Sequence, residues 1–129
     1  MNETPRPDPA PFSMAARLAS FRYALKGVAF MLASQHNARV HLAVTILVVA
    51  AGVLIGIGPE DWRWLIAAIA LVWFAEAMNT AFEYLCDVVS PDFHPAVERA
   101  KDIAAGAVLI CSGGAAVIGL LTFWPYVLG

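Results

Sequence analysis

Glu76, Glu83 and Asp87 interrupt the apolar run over residues 62–89, with Asn79 between them. These three carboxylates and one carboxamide are proton-accepting and metal-binding groups set at helical spacing. On a helix turning about 100° per residue, Glu83 and Asp87 return to nearly the face of Glu76, and Asn79 lies about a sixth of a turn away. A charge near the bilayer centre costs about 2.5–3.5 kcal/mol on insertion scales, against about 0.3–0.6 recovered by each apolar residue. An acidic stripe maintained at that cost points to function, and its hard oxygen donors suit Mg²⁺.

After Asp87 the chain turns through Ser90-Pro91-Asp92-Phe93-His94-Pro95, and Glu98, Arg99, Lys101 and Asp102 then precede a third apolar stretch. Stripe and cluster meet at one membrane face. Lysine and arginine neutralise phosphate oxygens, so the combination suits a metal–nucleotide complex. No Walker A sequence is present, since the glycines at 52, 56 and 58 are not followed by GK[ST], and the glycine-rich loop and HRD/DFG elements of protein kinases are missing as well. Any nucleotide site must be built another way.

Each of these residues also has a plainer role. Glu76 and Glu83 could be neutral carboxyls satisfied by a neighbouring helix, Asn79 a hydrogen bond between helices, and Asp87 an orienting group near the water interface. Lys101 could be an interfacial anchor and Asp102 an N-cap for the third span. His36, His41 and His94 show no mutual metal spacing, and the first two read as interface or packing residues. Cys86 and Cys111 have no CxxC partner and read as reduced packing residues.

Composition and length place these groups on helices in a membrane. The chain has 129 residues, 60% hydrophobic and 14% charged, with a mean hydropathy of +0.71. Residues 40–58, 62–89 and 103–128 each reach about the 20 residues needed to cross the hydrocarbon. The reading is an all-α integral membrane protein with three transmembrane helices and an N-terminal amphipathic surface helix. Residues 1–12, with Pro5, Pro7, Pro9 and Pro11, are expected to form a disordered tail. Ser13 is placed as N-cap of a helix over about residues 13–37, whose seam is Met14, Leu18, Phe21, Leu25, Val28 and Leu32, flanked by Arg22 and Lys26. One domain, residues 13–129, holds everything beyond the tail.

No signal-peptide pattern precedes the first span, which is expected to be retained. Five of the eight basic residues precede the first span, Arg63 follows it, and Arg99 and Lys101 follow the second. That bias places the N-terminus and the 90–102 segment in the cytoplasm and residues 59–63 outside, where Trp62, Trp64, Trp124 and Tyr126 gather at the outer interface. The net charge of −2 says little about orientation, and no nucleic-acid partner is expected. Gly52 and Gly56, and the small residues Gly106, Gly113, Gly114, Ala115 and Gly119, predict close helix packing. There is no internal repeat.

The stretch Glu76-Ala-Met-Asn79-Thr-Ala-Phe-Glu83-Tyr-Leu-Cys-Asp87, followed by His94-Pro95 and Ala100-Lys101-Asp102-Ile-Ala-Ala-Gly106-Ala-Val-Leu, resembles the signature of the small prokaryotic diacylglycerol kinase family, which includes undecaprenol kinases. The resemblance runs from about Phe21 through nearly the whole chain. It implies a homotrimer in the bacterial cytoplasmic membrane, transferring the ATP γ-phosphoryl group, with Mg²⁺, to the hydroxyl of a membrane lipid. It further implies that Glu76 is the general base at the lipid hydroxyl, that Glu83 binds the metal, and that Tyr23, Asn79, Glu83, Asp87, His94, Lys101 and Asp102 surround the nucleotide. Where relatives carry a second metal-binding glutamate this chain has Gln35, whose amide oxygen can still coordinate but brings no charge.

Diacylglycerol and undecaprenol both present a primary hydroxyl, so the catalytic residues do not choose between them. The HPxxxxAKDxAAGAVL form and Arg39-Val40-His41 look more like the undecaprenol kinase branch. Two alternatives stand beside the kinase: a family member weakened by Gln35, and a small ion- or proton-coupled membrane protein, for which ionisable groups inside a span would also be diagnostic.

Overall fold

The structure, a computed structural model, describes residues 12–129; the tail expected over residues 1–12 lies outside them but for Phe12. Four helices follow one another: α1 (Met14–Ser34), α2 (His36–Ile55), α3 (Pro59–Val89) and α4 (Pro95–Leu128). The last three are long and apolar enough to cross a membrane.

The Ser13 hydroxyl accepts from the Ala16 N–H at 3.4 Å, the expected N-cap. α1 stops at Ser34, short of the expected 37, because Gln35 adopts an extended conformation, with φ −106° and ψ 123°. Arg39 holds this break closed: its guanidinium donates to the carbonyls of Leu32, at 3.0 Å, and of Ala33. A side chain one turn into α2 thus satisfies carbonyls that the end of α1 leaves unpaired. α2 consequently begins at His36, four residues ahead of the apolar stretch that starts at Val40. Of α1 only Met31 is buried. Leu18, Phe21, Tyr23, Leu25 and Phe30 are all exposed, so the apolar surface of α1 is not confined to one seam.

α2 ends on Gly56 in the left-handed conformation, φ 75°. The N–H groups of Gly56 and Ile57 both donate to the Gly52 carbonyl, at 3.0 and 3.1 Å. Gly56 therefore terminates the helix by its backbone freedom and has nothing packed against it. Gly52 has a different duty: a Cβ there would stand 2.9 Å from Cη2 of Trp62, so the missing side chain admits the indole. Gly106, Gly113, Gly114 and Gly119 face open space. The expected glycine-mediated packing within one chain reduces to Gly52 against Trp62, because α2 barely approaches α4 and leaves the small residues of α4 uncovered.

Pro59 opens α3 with Gly58 as N-cap, and Glu60 and Asp61 complement the helix N-terminus. α4 opens on Pro95, with His94 Nδ1 accepting from the Ala96 N–H at 3.2 Å. The connection after α3 is only residues 90–94, and Glu98, Arg99, Lys101 and Asp102 lie inside the first two turns of α4. His94, not Asp102, is the N-cap. Hydropathy marks the apolar stretch, whereas the helix starts earlier, at the His94-Pro95 cap.

α3 and α4 form a long antiparallel hairpin, about 46 and 51 Å at 1.5 Å per residue. At one end the Tyr126 hydroxyl donates to Asp61 at 2.6 Å and accepts from the Gly58 N–H at 3.1 Å. At the other, the Lys101 ammonium meets Asp87 at 3.0 Å. The inward face of α3 carries Leu65, Ala68, Val72, Ala75, Glu76, Asn79 and Thr80, a three- and four-residue repeat that is apolar in one half and polar in the other.

Candidate functional site

The polar half of the inward face of α3 is the candidate site. Glu76 is 1% exposed, among the largest fully buried side chains of the described residues. Facing it from α2 is His41, whose Nε2 stands 3.6 Å from Glu76 Oε2. One turn further along α3, Asn79 Nδ2 donates to Glu83 Oε1 at 3.2 Å. Glu83 is half-buried and Asp87 exposed, so the stripe runs from the interior toward water in the order Glu76, Asn79, Glu83, Asp87.

The α2 side of the site is held by a relay of two hydrogen bonds. Thr45 Oγ1 donates to the His41 carbonyl at 2.7 Å and accepts from Trp73 Nε1 at 3.1 Å. Trp73 lies one turn before Glu76, so the bond that ties α2 to α3 sits beside the pair it positions. On the α1 side, the rings of Phe30 and Tyr84 meet at 5.3 Å between centroids and bring the end of α1 against α3.

Two cavities lie side by side here. A polar one of about 290 Å³ is lined by Asn37, Val40, His41, Asn79, Glu83 and residues of α4 from Ala105 to Ser112. An apolar one of about 550 Å³ runs between α2, α3 and α4 from His41 toward Val127. His41 and Ser112 line both, so they stand at the junction between an apolar groove and a polar pocket. Four buried polar atoms find no partner among the described residues: Glu76 Oε2, Asn79 Oδ1, Thr80 Oγ1 and Ser112 Oγ. Unpaired buried acceptors are costly, which marks this zone as one shaped for a further group.

Of the residues singled out in the sequence, Glu76, Asn79 and Glu83 come together here, and Asp87 pairs with Lys101 a turn beyond, at the end of the hairpin. Tyr23 lies exposed on α1 beside Arg22, whose guanidinium sits 5.8 Å from its ring centre. His94 is exposed and caps α4. Asp102 is exposed on α4, and Gln35 occupies the break between α1 and α2; neither lines the polar cavity of its own chain. Among the described residues no three His, Cys, Asp or Glu side chains converge on a point that could hold a metal. The oxygen donors at hand are Glu83 and the unpaired Asn79 Oδ1, which fit part of a Mg²⁺ shell and leave the rest to other ligands.

His41 is the residue that sequence reasoning set aside as an interface or packing residue. The available signal was an imidazole one residue inside an apolar span, where a polar group needs a partner; which carboxylate it meets depends on how α2 crosses α3.

A buried carboxylate facing an imidazole can hold and move a proton. Amide and carboxylate oxygens beyond it can ligate a cation, and an interfacial ammonium can neutralise phosphate. These features define a small polytopic membrane protein with an acidic site opening at one end of a helical hairpin. Residues 22–123 match the family described as prokaryotic diacylglycerol kinase, and the chain belongs to that family.

It is 37% identical over 103 residues to a diacylglycerol kinase of Synechocystis sp., covering 79% of this chain and 59% of that protein. It is 32% identical over 106 residues to an undecaprenol kinase of Bacillus subtilis, covering 82% and 86% respectively. A diacylglycerol kinase of Escherichia coli is 32% identical over 62 residues, 48% of this chain and 51% of that one. The chain thus spans about three fifths of the Synechocystis protein and most of the Bacillus protein.

Proposed function

We propose that this protein is an ATP-dependent lipid kinase that transfers the γ-phosphoryl group of MgATP to the primary hydroxyl of a membrane lipid, making phosphatidic acid from diacylglycerol or undecaprenyl phosphate from undecaprenol. The observation that carries this is the stripe Glu76, Asn79 and Glu83, in which Asn79 and Glu83 line a cavity beside the buried Glu76 carboxylate, with Lys101 beyond it, in a member of this family. Glu76 takes the proton of the lipid hydroxyl as the new O–P bond forms and the bond to ADP breaks. Phosphoryl transfer asks mainly for positioning and charge neutralisation, which this sparse set can supply.

Mg²⁺ bound by Glu83, with the Gln35 amide and nucleotide oxygens completing its shell, would neutralise charge on the transferring phosphoryl group. Asn79, Asp87, His94, Lys101 and Asp102 hold the nucleotide. A polar cavity of about 290 Å³ is at the small end for enclosing even a drug-sized ligand. The family resemblance implies a homotrimer, in which Tyr23 and Gln35 of one copy would reach the α3–α4 site of its neighbour, with α1 on the membrane surface. The protein resides in the bacterial inner membrane with its N-terminus and the 90–94 turn in the cytoplasm, following the basic-residue bias.

The test is transfer of label from γ-labelled ATP in mixed micelles with Mg²⁺, offering diacylglycerol and undecaprenol separately. Labelled lipid with either acceptor supports the reading; label on neither, with folded protein, overturns it.

A second reading rests on Gln35, a neutral residue where the family resemblance calls for a carboxylate. In that reading the protein binds ATP and turns over slowly, and Gln35→Glu raises its rate sharply.

A further inference from the structure

We propose that His41 is a positioning residue for Glu76, an inference that rests on the kinase reading of the same site. Glu76 is 1% exposed, and its Oε2 finds no hydrogen bond among the described residues. The polar atom aimed at it is His41 Nε2, 3.6 Å away and only a few tenths of an ångström beyond hydrogen-bond contact. Catalytic hydrogen bonds are often long in unliganded sites and tighten when substrate binds. An Nε2–H donated to Oε2 fixes the carboxylate plane and leaves Oε1 for the proton of the acceptor hydroxyl.

Placement argues for the same role. His41 lines both the apolar groove of about 550 Å³ and the polar cavity of about 290 Å³, so it stands where a hydroxyl carried on a lipid chain would pass from one to the other. Its backbone is anchored through Thr45, whose hydroxyl binds the His41 carbonyl and the Trp73 indole together. A packing residue would not need an imidazole turned toward a buried carboxylate. The bond scheme is balanced with His41 as donor throughout: the proton leaves the lipid oxygen for Glu76, the lipid O–P bond forms, and the bond from phosphorus to the ADP oxygen breaks.

The experiment compares wild type, His41→Gln and His41→Leu. Glutamine keeps an N–H donor at similar reach; leucine keeps the volume and has none. The kinetic readout is kcat and the KM for MgATP with the better lipid acceptor. The second readout needs no turnover: the infrared carboxyl band of Glu76, isolated by subtracting the spectrum of Glu76→Gln in glutamate-labelled protein. The expected result is a kcat lowered at least tenfold in His41→Leu, restored to within about threefold of wild type in His41→Gln, with KM for MgATP unchanged and the Glu76 band displaced only in the leucine variant.

Equal loss in both variants with an unmoved band identifies His41 as a packing residue and overturns the proposal, as does wild-type kcat in His41→Leu. Wild-type protein that phosphorylates no lipid overturns the kinase reading and the catalytic role together. A Glu76 band that still moves in that protein leaves the contact standing and separates the two failures.

Discussion

The Trp73 indole donates to Thr45 Oγ1 across 3.1 Å, and this is the hydrogen bond by which α3 holds α2 next to Glu76. Elsewhere α2 leans on α3 through apolar contact and the Gly52–Trp62 fit, and it barely approaches α4. The Thr45 hydroxyl therefore helps set where the His41 end of α2 sits, together with Arg39 at the α1–α2 break. Interhelical hydrogen bonds in membranes average about 0.6 kcal/mol, so Thr45→Val should lower unfolding stability by roughly that amount. Lipid kinase activity should fall further than stability does, because the register of His41 loosens. Thermal unfolding in detergent alongside turnover measures both.

Gly52 and Gly113 make opposite predictions from the same substitution. At Gly52 a methyl group would meet the Trp62 ring at 2.9 Å and Ile57 Cδ1 at 3.1 Å. Overpacking of that kind costs about 1–3 kcal/mol. At Gly113 nothing lies within 4 Å, and replacing a helical glycine by alanine at an unstrained site stabilises by about 0.4–1 kcal/mol. The melting temperature should fall in Gly52→Ala and hold or rise in Gly113→Ala. If Gly113→Ala instead dissociates an oligomer, the open glycine face of α4 is an interface between copies.

Lys101 and Asp87 are 3.0 Å apart, with Lys101 a third exposed and Asp87 two thirds exposed. Exposed ion pairs contribute little to stability. Lys101→Gln should accordingly leave the melting temperature unchanged and raise the KM for MgATP by roughly tenfold, since a charge-assisted contact to phosphate is what is removed. A change in stability without a change in KM would make the pair a hairpin clasp and nothing more.

Gln35→Glu adds a carboxylate at the break between α1 and α2. Hard cations bind more tightly as ligand charge increases, so the Mg²⁺ concentration for half-maximal activity should drop by several-fold. Titration of activity against free Mg²⁺ decides this; an unchanged curve would mean that residue 35 does not reach the metal.

The acidic stripe and the three spans were legible in the sequence because both depend on periodicity and length along a single helix. The Ser13 cap was legible for the same reason, since its partner Ala16 lies within one turn. What escaped depends on distance in space or on helix ends that lie beyond the apolar stretches. The start of α4 at Pro95 was masked because Glu98 to Asp102 are polar yet helical, and a hydropathy profile reports lipid, not helix. The double role of Gly52 and Gly56 could not be separated by a GxxxG spacing that fits both. His41 facing Glu76 required the α2–α3 crossing, which 34 residues of intervening chain do not encode locally.

In the proposed reaction Glu76 takes the proton of a lipid hydroxyl during phosphoryl transfer from ATP. The direct test is one turnover of Glu76→Gln beside wild type, following label from γ-labelled ATP into diacylglycerol or undecaprenol while a fluorescent ATP analogue reports nucleotide binding. A positioned general base contributes about 10²–10⁴-fold, so labelled lipid should fall by that factor with nucleotide binding intact. Label transfer by Glu76→Gln at the wild-type rate would contradict a general-base role for Glu76.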